Sequence, residues 1–441
     1  MTNDNLPVSL RLRLDKALLP VATSFAENAG SAMGLGRSEA LKLTLAVEEV
    51  FSYLASAAEG AEESDGLTLE AVGRVYCVEL NVFFNIPKVD FRLLNLAAHY
   101  SPGDESSLNE LGLFLASRSV DQFSLSDATS GGMQLKLVKE KLYPPSAEQE
   151  APACHALDDF EIVTPEVGQI KEAARLLKAY YSALYLPDAY VLPAKLADMV
   201  LSGEIGTLVA IDRHGDLGGA IFWRFHAKSS LRSYGPYVFC QPDPGPIAQA
   251  LVEAALNRVA KTQAVSFVCR YPTPELPKEY FEYLGDLEYF SPDGTKHSWP
   301  QFYRQLKEDP GEVVWCNPTL QPFLKEQYTR LALARDVHLY QVEGEKRPAC
   351  SVIGTHLDRV QGHATLRPML DGMDAEENLN RHLALIMTEG IRTIFCNVDL
   401  GLAWQVSWVP ALQEMGFSPR LVIPFGGKAD LVVFQHLGDQ E

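Results

Sequence analysis

The chain has 441 residues, 47% of them apolar, enough for two or three domains each with its own core, and no stretch stays apolar over the length of a bilayer span. Its 57 acidic residues outnumber 38 basic ones for a net charge of −19 with no Lys/Arg run, which argues against a nucleic-acid or anionic-membrane surface. The 7 cysteines form no CxxC pair and match no His spacing, so the expectation is no zinc site, no disulfide and a reducing, cytoplasmic compartment.

The N-terminal MTNDNLPVSLRLRL lacks the apolar core of a signal peptide. The segment SEALKLTLAVEEVFSYLASAAEG then carries Leu43, Val47, Val50 and Leu54 at helical spacing, with Ser38 as the expected N-cap. Glu49 and Tyr53 lie four apart and share another face of that helix. TLEAVGRVYCVELNVFFNIPKVDF alternates β-branched and aromatic residues and reads as two antiparallel strands. ELGLFLASRSVDQFSLSD reads as a helix with a Gly near its start, and SGGMQLKLVKEKL as a turn and a strand. Breaks at 143–160 and 305–315 set domains at 1–145, 159–308 and 309–441, with a linker at 146–158.

From Phe160 the expected order is a strand, helices at 168–185 and 193–202, and three strands ending in SLRSYGPYVFC. A helix from Ile247, the strand AVSFVCRYP and a helix holding PKEYFEYLG follow. The last third repeats the theme: a helix at 319–334, three strands, a helix within AEENLNRHLALIMTEG, the strand IRTIFCNVD, a helix within VSWVPALQEMGF and two closing strands. This order suggests a long internal duplication. The fold class expected is α/β (α+β), with mixed sheets.

The first 8–142 residues, above all GLFLASRSVDQFSLSDATSGGMQLKLVK, resemble the ATPase fold of histidine kinases and bacterial anti-sigma-factor serine kinases. The resemblance implies ATP and magnesium, yet its contact points are altered. Glu49 stands at the family's Glu and Tyr53 at its magnesium-binding Asn, Phe83 replaces the adenine-reading Asp, and of the phosphate-loop glycines only Gly112 remains, after Glu110. It thus implies a module that has lost its nucleotide and docks a protein, a sigma factor or an anti-sigma antagonist.

Residues 159–308 and, more loosely, 309–441 resemble GNAT acetyltransferases, in which a turn and helix N-terminus hold the pyrophosphate of acetyl-CoA. The corresponding turn is Gln241 to Ala248, where Gly245, Ile247 and Ala248 are the candidate contacts, but three prolines remove donors and Asp243 opposes an anion. The family's general-acid Tyr falls at Phe281, leaving Tyr280 and Tyr283 as candidate acids and Glu275 and Glu279 as candidate bases. In the last module the turn becomes LDGMDAEENLN with Gly372, and Leu412 takes the Tyr position. His356, His363 and His382 fit no metal-ligand spacing, whereas Asn397 and Asp399 end a strand where such sheets open a crevice. The function expected is a regulatory scaffold with ligand-sensing acetyltransferase-like modules; the alternative is an acetyl-CoA-dependent N-acyltransferase acting in 159–308.

Overall fold

The computed structural model describes residues 6–58, 66–86, 95, 115–128, 132–144, 152–290, 295–341, 344, 346–358 and 362–436, and these fall into two compact units. Among the described residues no helix is long and apolar enough to cross a membrane.

The first unit takes Met1–Tyr143 with two short pieces, Pro348–Gly354 and Met369–Asp374. It contains β1 (Val8–Leu12), α1 (Leu19–Ala32), α2 (Arg37–Ala57), β2 (Leu67–Gly73), β3 (Cys77–Phe84), β4 (Gln122–Asp127) and β5 (Met133–Glu140). The sheet order is β1-β2-β3-β5-β4 with every neighbouring pair antiparallel. The apolar stripe of α2 is buried as its spacing predicts, Leu43, Val47, Val50 and Leu54 being at most 1% exposed and packed in one core with Leu69, Leu80, Val82 and Leu137. Two readings need correction. Gly36, not Ser38, caps α2, and QFSLSD is strand β4, not the end of a helix. Its two-residue period places Leu125 in the core while the backbone pairs with β5. Asn95 binds the 348–354 piece through its side chain, donating to Ser351 O at 2.9 Å and accepting from Ile353 N at 2.8 Å.

The second unit takes Pro144–Arg347, Thr355–Pro368 and Ala375–Glu441. Its earlier part has β6 (Glu161–Val163), α3 (Val167–Tyr180), α4 (Pro193–Leu201), β7 (Gly206–Ile211), β8 (Leu217–Ala227), β9 (Ser230–Val238), α5 (Gly245–Val259), β10 (Ser266–Cys269), β11 (Glu282–Phe290) and β12 (Lys296–Gln305). These strands form one sheet in the order β11-β12-β10-β9-β8-β7-β6, in which β9 and β10 run parallel and their neighbours antiparallel. The apolar face of α5, including Leu251, Val252, Ala255 and Val259, lies on one side of the sheet against Leu231, Phe267 and Cys269.

The later part begins with β13 (Glu312–Cys316), α6 (Gln321–Arg330) and β14 (Arg335–Leu339), a parallel pair joined through a helix. It continues with β15 (Val352–Asp358), β16 (His363–Leu370), α7 (Ala375–Thr388), β17 (Thr393–Asp399), α8 (Ala403–Val406), α9 (Val409–Glu414), β18 (Phe417–Ile423) and β19 (Leu431–His436). The sheet order β15-β16-β17-β19-β18 repeats that of the earlier sheet from β8 to β11: a strand, a helix, a parallel strand, and a last strand inserted beside it. The element order therefore repeats between the two parts, and the fold is mixed α/β as expected. The two parts are joined at β11, whose Glu288 backbone N and O pair with the Gln435 side chain at 3.0 and 2.6 Å while its carboxylate meets Arg420 at 3.1 Å.

Two segments differ from expectation. GEVVW, read as part of a break, lies largely in β13. PKEYFEYLG is not a helix: a single 3-10 turn, Lys278–Tyr280, leads into β11. Pro274 and Pro277 remove helix donors, and the strand's period is masked by a bulge between Tyr283 and Gly285, where Gly285 takes φ +145°.

Candidate functional site

Both halves of the second unit build a crevice in the same way. β9 pairs with β10 only over Ser230–Ser233 and Ser266–Cys269, after which β9 runs on to Val238 while β10 stops. The edge of β9 beyond that point would be open to an extended ligand. Phe239 N donates to Gly218 O on the β8 side, so the neighbouring Val238 groups face the crevice. They are already taken: Val238 N donates to the Tyr181 hydroxyl at 2.7 Å, which in turn donates to Val238 O at 3.1 Å. Pro236 has no N–H, and its carbonyl accepts from Thr273 Oγ1 at 2.6 Å. Burial, with Glu275 nearby, raises the Tyr181 pKa well above the usual phenol value, so it remains a neutral donor.

The turn that the sequence resemblance aligns with a phosphate-binding loop is closed as well. At the start of α5, Gly245 N donates to the Asp243 carboxylate at 3.0 Å, Pro246 has no N–H, and Ala248 N is spent on Pro244 O at 3.0 Å. Of the candidate contacts only the Ile247 amide remains, too little to hold a pyrophosphate beside a carboxylate. Gln241 is engaged by the linker, accepting from Leu157 N at 3.1 Å and donating to Phe239 O at 2.8 Å. Leu157 lies over Gly218, where a Cβ would come within 2.5 Å of its Cδ1.

The linker is also joined to this turn by a disulfide, Cys154–Cys240, with Cα atoms 5.9 Å apart. This corrects the expectation of no disulfide, while Cys77, Cys269, Cys316, Cys350 and Cys396 remain thiols. The partners are 86 residues apart and meet only because the linker folds back over the turn, so no local spacing announces them. Cys154→Ser is expected to cost about 2–4 kcal/mol in non-reducing urea denaturation. A reductant should bring the wild type down to the variant; equal stability without reductant would count against a structural bond.

In the later half, β16 pairs with β17 over His363–Leu366 and Thr393–Cys396 and then diverges. Gln405, 2% exposed, fills the opening by donating from Nε2 to Pro368 O at 2.9 Å while its Oε1 accepts from Asp399 N at 2.8 Å. The Asp399 carboxylate accepts from Gly401 N at 2.9 Å and Lys428 N at 2.7 Å, so this strand-end acid organises turns. Asn397 ends in the same strand with its side-chain Oδ1 buried and without a hydrogen-bond partner.

The other residues singled out from sequence are dispersed. Tyr280, in the 3-10 turn, is bonded to Glu253 and Gln249 of α5, and its pKa is raised first by the Glu253 hydrogen bond. Tyr283 is exposed on β11, with its carbonyl bonded to Arg330 and its pKa pushed up to about 12 by partial burial and then Asp286. Glu279 is exposed in the turn. In the first unit Glu49 is partly buried on α2, and desolvation followed by Glu48 raises its pKa. Tyr53 is buried and Phe83 half-buried; Glu110 and Gly112 lie outside the described residues.

A feature the sequence reading missed lies on the sheet face opposite α5. Arg224 of β8 and Arg232 of β9 are direct cross-strand partners, and Val268 of β10 faces Arg232 with Arg270 two residues on. His226 and Tyr234 share this face by strand alternation. Arg270 is 8% exposed and its Nε has no partner. His226 is pushed down to about 2 by burial, Arg232, Arg270 and Arg224, which outweigh a hydrogen bond with the Ser230 backbone. For Tyr234 burial alone would raise the pKa, but the charges and hydrogen bonds of Arg232 and Arg224 outweigh it and lower it.

No protein-family model matches the sequence, and no curated protein is similar to it. Among solved structures, a GNAT-superfamily phosphinothricin acetyltransferase from Sinorhizobium meliloti in complex with AcCoA is 15% identical, with 34% of this chain and 89% of that chain covered at a TM-score of 0.28. An aminoglycoside 6'-acetyltransferase type Ii is 16% identical over 34% of this chain and 99% of that one at a TM-score of 0.26. A spermidine N-acetyltransferase variant from Vibrio cholerae is 14% identical over 33% and 94% at a TM-score of 0.28.

Proposed function

We propose that the chain is a regulatory protein whose acetyltransferase-like unit senses a ligand without transferring an acyl group. What supports this is that both crevices are filled by the chain's own hydrogen bonds, from Tyr181 and Thr273 in the earlier half and Gln405 in the later one. An extended acyl-CoA would have to displace buried bonds at the β9 edge and approach the Asp243 carboxylate, while a single α5 amide remained for its pyrophosphate. In this reading the first unit supplies protein contact, with a sigma factor or an anti-sigma antagonist as the partner class its sequence resemblance implies.

The test is thermal denaturation with acetyl-CoA, CoA and ATP–magnesium, combined with an assay for release of the CoA thiol. The expected outcome is no saturable rise in melting temperature and no thiol release. Saturation would add about 2.7 kcal/mol at a hundred times Kd, a rise readily seen. Such a rise with acetyl-CoA, accompanied by thiol release to an amine, would replace this reading with N-acyl transfer; a rise with ATP–magnesium would make the first unit a nucleotide module.

A further inference from the structure

We propose that the sheet face bearing Arg224, Arg232 and Arg270 is a binding site for a small oxyanion with two negative charges, of the size of a dicarboxylate or a phosphate. This deepens the sensing reading, and rests on it, by naming the ligand class.

The register puts two arginines directly opposite each other on β8 and β9 and a third on the adjacent strand, all on one face. Like charges placed directly opposite destabilise a sheet, and a buried guanidinium without a counterion is costlier still. Yet among the described residues neither Arg232 nor Arg270 has a carboxylate within ion-pair distance, and the Nε of each is buried and unpartnered. Arg224 meets Glu204 only at 3.9 Å, where both side chains are more than a third exposed, so that pair is weak. Asp358 acts on His363 and Tyr289 but forms no ion pair with Arg270. His226 stays neutral and adds no negative charge to this face.

Tyr234 is hydrogen-bonded to Arg224 and Arg232, but among the described residues no carboxylate is in hydrogen-bond distance of the three guanidiniums, so the arrangement is a surplus of positive charge closed at one end by the buried Arg270. Arg224, Arg232 and His226 are only partly buried as residues, although Arg232 Nε and both His226 ring nitrogens are buried with the cluster. Guanidinium forks bind carboxylate or phosphate oxygens in pairs, and a dianion offers enough oxygens for two of them. A monoanion would leave much of the charge uncompensated, and a cation is excluded by the field.

The experiment measures binding of inorganic phosphate and of succinate to the full chain by calorimetry, at constant ionic strength, with chloride as the reference anion. It is repeated for Arg270→Met, Arg232→Met and, as a control, Arg213→Met on the exposed β7–β8 turn. Saturable binding of at least one dianion is expected, weakened about tenfold to a hundredfold by Arg270→Met and by Arg232→Met and unchanged by Arg213→Met. Phosphate binding alone would identify a phosphate ligand, and succinate binding alone a dicarboxylate. Melting without ligand supplies a second reading. Because Arg270 has no internal counterion, Arg270→Met should match or exceed the wild-type melting temperature, whereas a fall of several degrees would mean that the guanidinium serves the fold. That fall, binding unchanged in both arginine variants, or no binding of either dianion overturns the site. Acyl transfer in the preceding assay, with the dianion result intact, would overturn the non-transferring reading and leave the site standing.

Discussion

Replacing Arg335 with Met should destabilise the second unit by about 3–5 kcal/mol, read as a lower urea midpoint with unchanged slope. The guanidinium, fully buried at the start of β14, grips Asp430 with Nε at 2.6 Å and Nη2 at 3.2 Å and reaches Asp309 with Nη1 at 2.7 Å. Its plane lies 4.8 Å from the Phe425 ring centroid and 5.8 Å from that of Tyr328. The large effect comes from what is left behind. Without the arginine, two carboxylates with at most 9% exposure lose their counterion, and Asp430 retains chiefly the Phe425 amide at 2.9 Å. Arg335→Lys should recover only part of the loss, since an ammonium cannot reproduce the two-pronged contact. Adding Asp430→Asn and Asp309→Asn to Arg335→Met should recover more, because neutral amides need no counterion. A loss below about 1 kcal/mol in Arg335→Met would place this network with ordinary surface ion pairs and refute the assignment.

Acidification from pH 7.5 to 5.5 should cost the folded chain about 3 kcal/mol, with histidines the main cause. Burial lowers His363 and His382 to about 4 and His226 to about 2, against an ordinary value of 6.5. Folded values below the unfolded value mean that the unfolded chain takes up protons first as pH falls. Stability is therefore complete above about 6.5 and declines below it, by up to about 1.4 kcal/mol per pH unit for each histidine, until the folded values are reached. His226 counts for less because it is only partly buried. Glu49, Glu172 and Glu312 have raised pKa values and work in the opposite direction, but they act closer to the carboxylate range. Urea midpoints at pH 7.5, 6.5 and 5.5 test this, and His363→Gln should flatten the decline. Midpoints that do not change over this interval would show that these imidazoles titrate normally.

Much of the architecture was legible because it is written in local periods. The stripe of Leu43, Val47, Val50 and Leu54 and the alternation of β2 are read within a dozen residues, and the repeated strand–helix–strand order revealed the duplication. The scarcity of free amides in the turn before α5 was legible for the same reason, since Asp243 and its flanking prolines act on amides one or two residues away. Segments whose period is broken were misread, as in β11, where a bulge at Gly285 hides the alternation after a proline-rich approach.

The sequence by itself determined the class of fold and much of the order of its elements, because each depends on neighbours along the chain. Only the tertiary structure decided that Tyr181 caps Val238, that Gln405 joins Pro368 to Asp399, that Cys154 meets Cys240 and that three arginines share one face. These contacts depend on strand register, which bulges at Ala220/Phe222 and Phe225/Ala227 shift by one residue. Since a one-residue shift sends a side chain to the opposite face of a sheet, the placement of Arg224 and His226 beside Arg232 and Arg270 is set by pairing between strands.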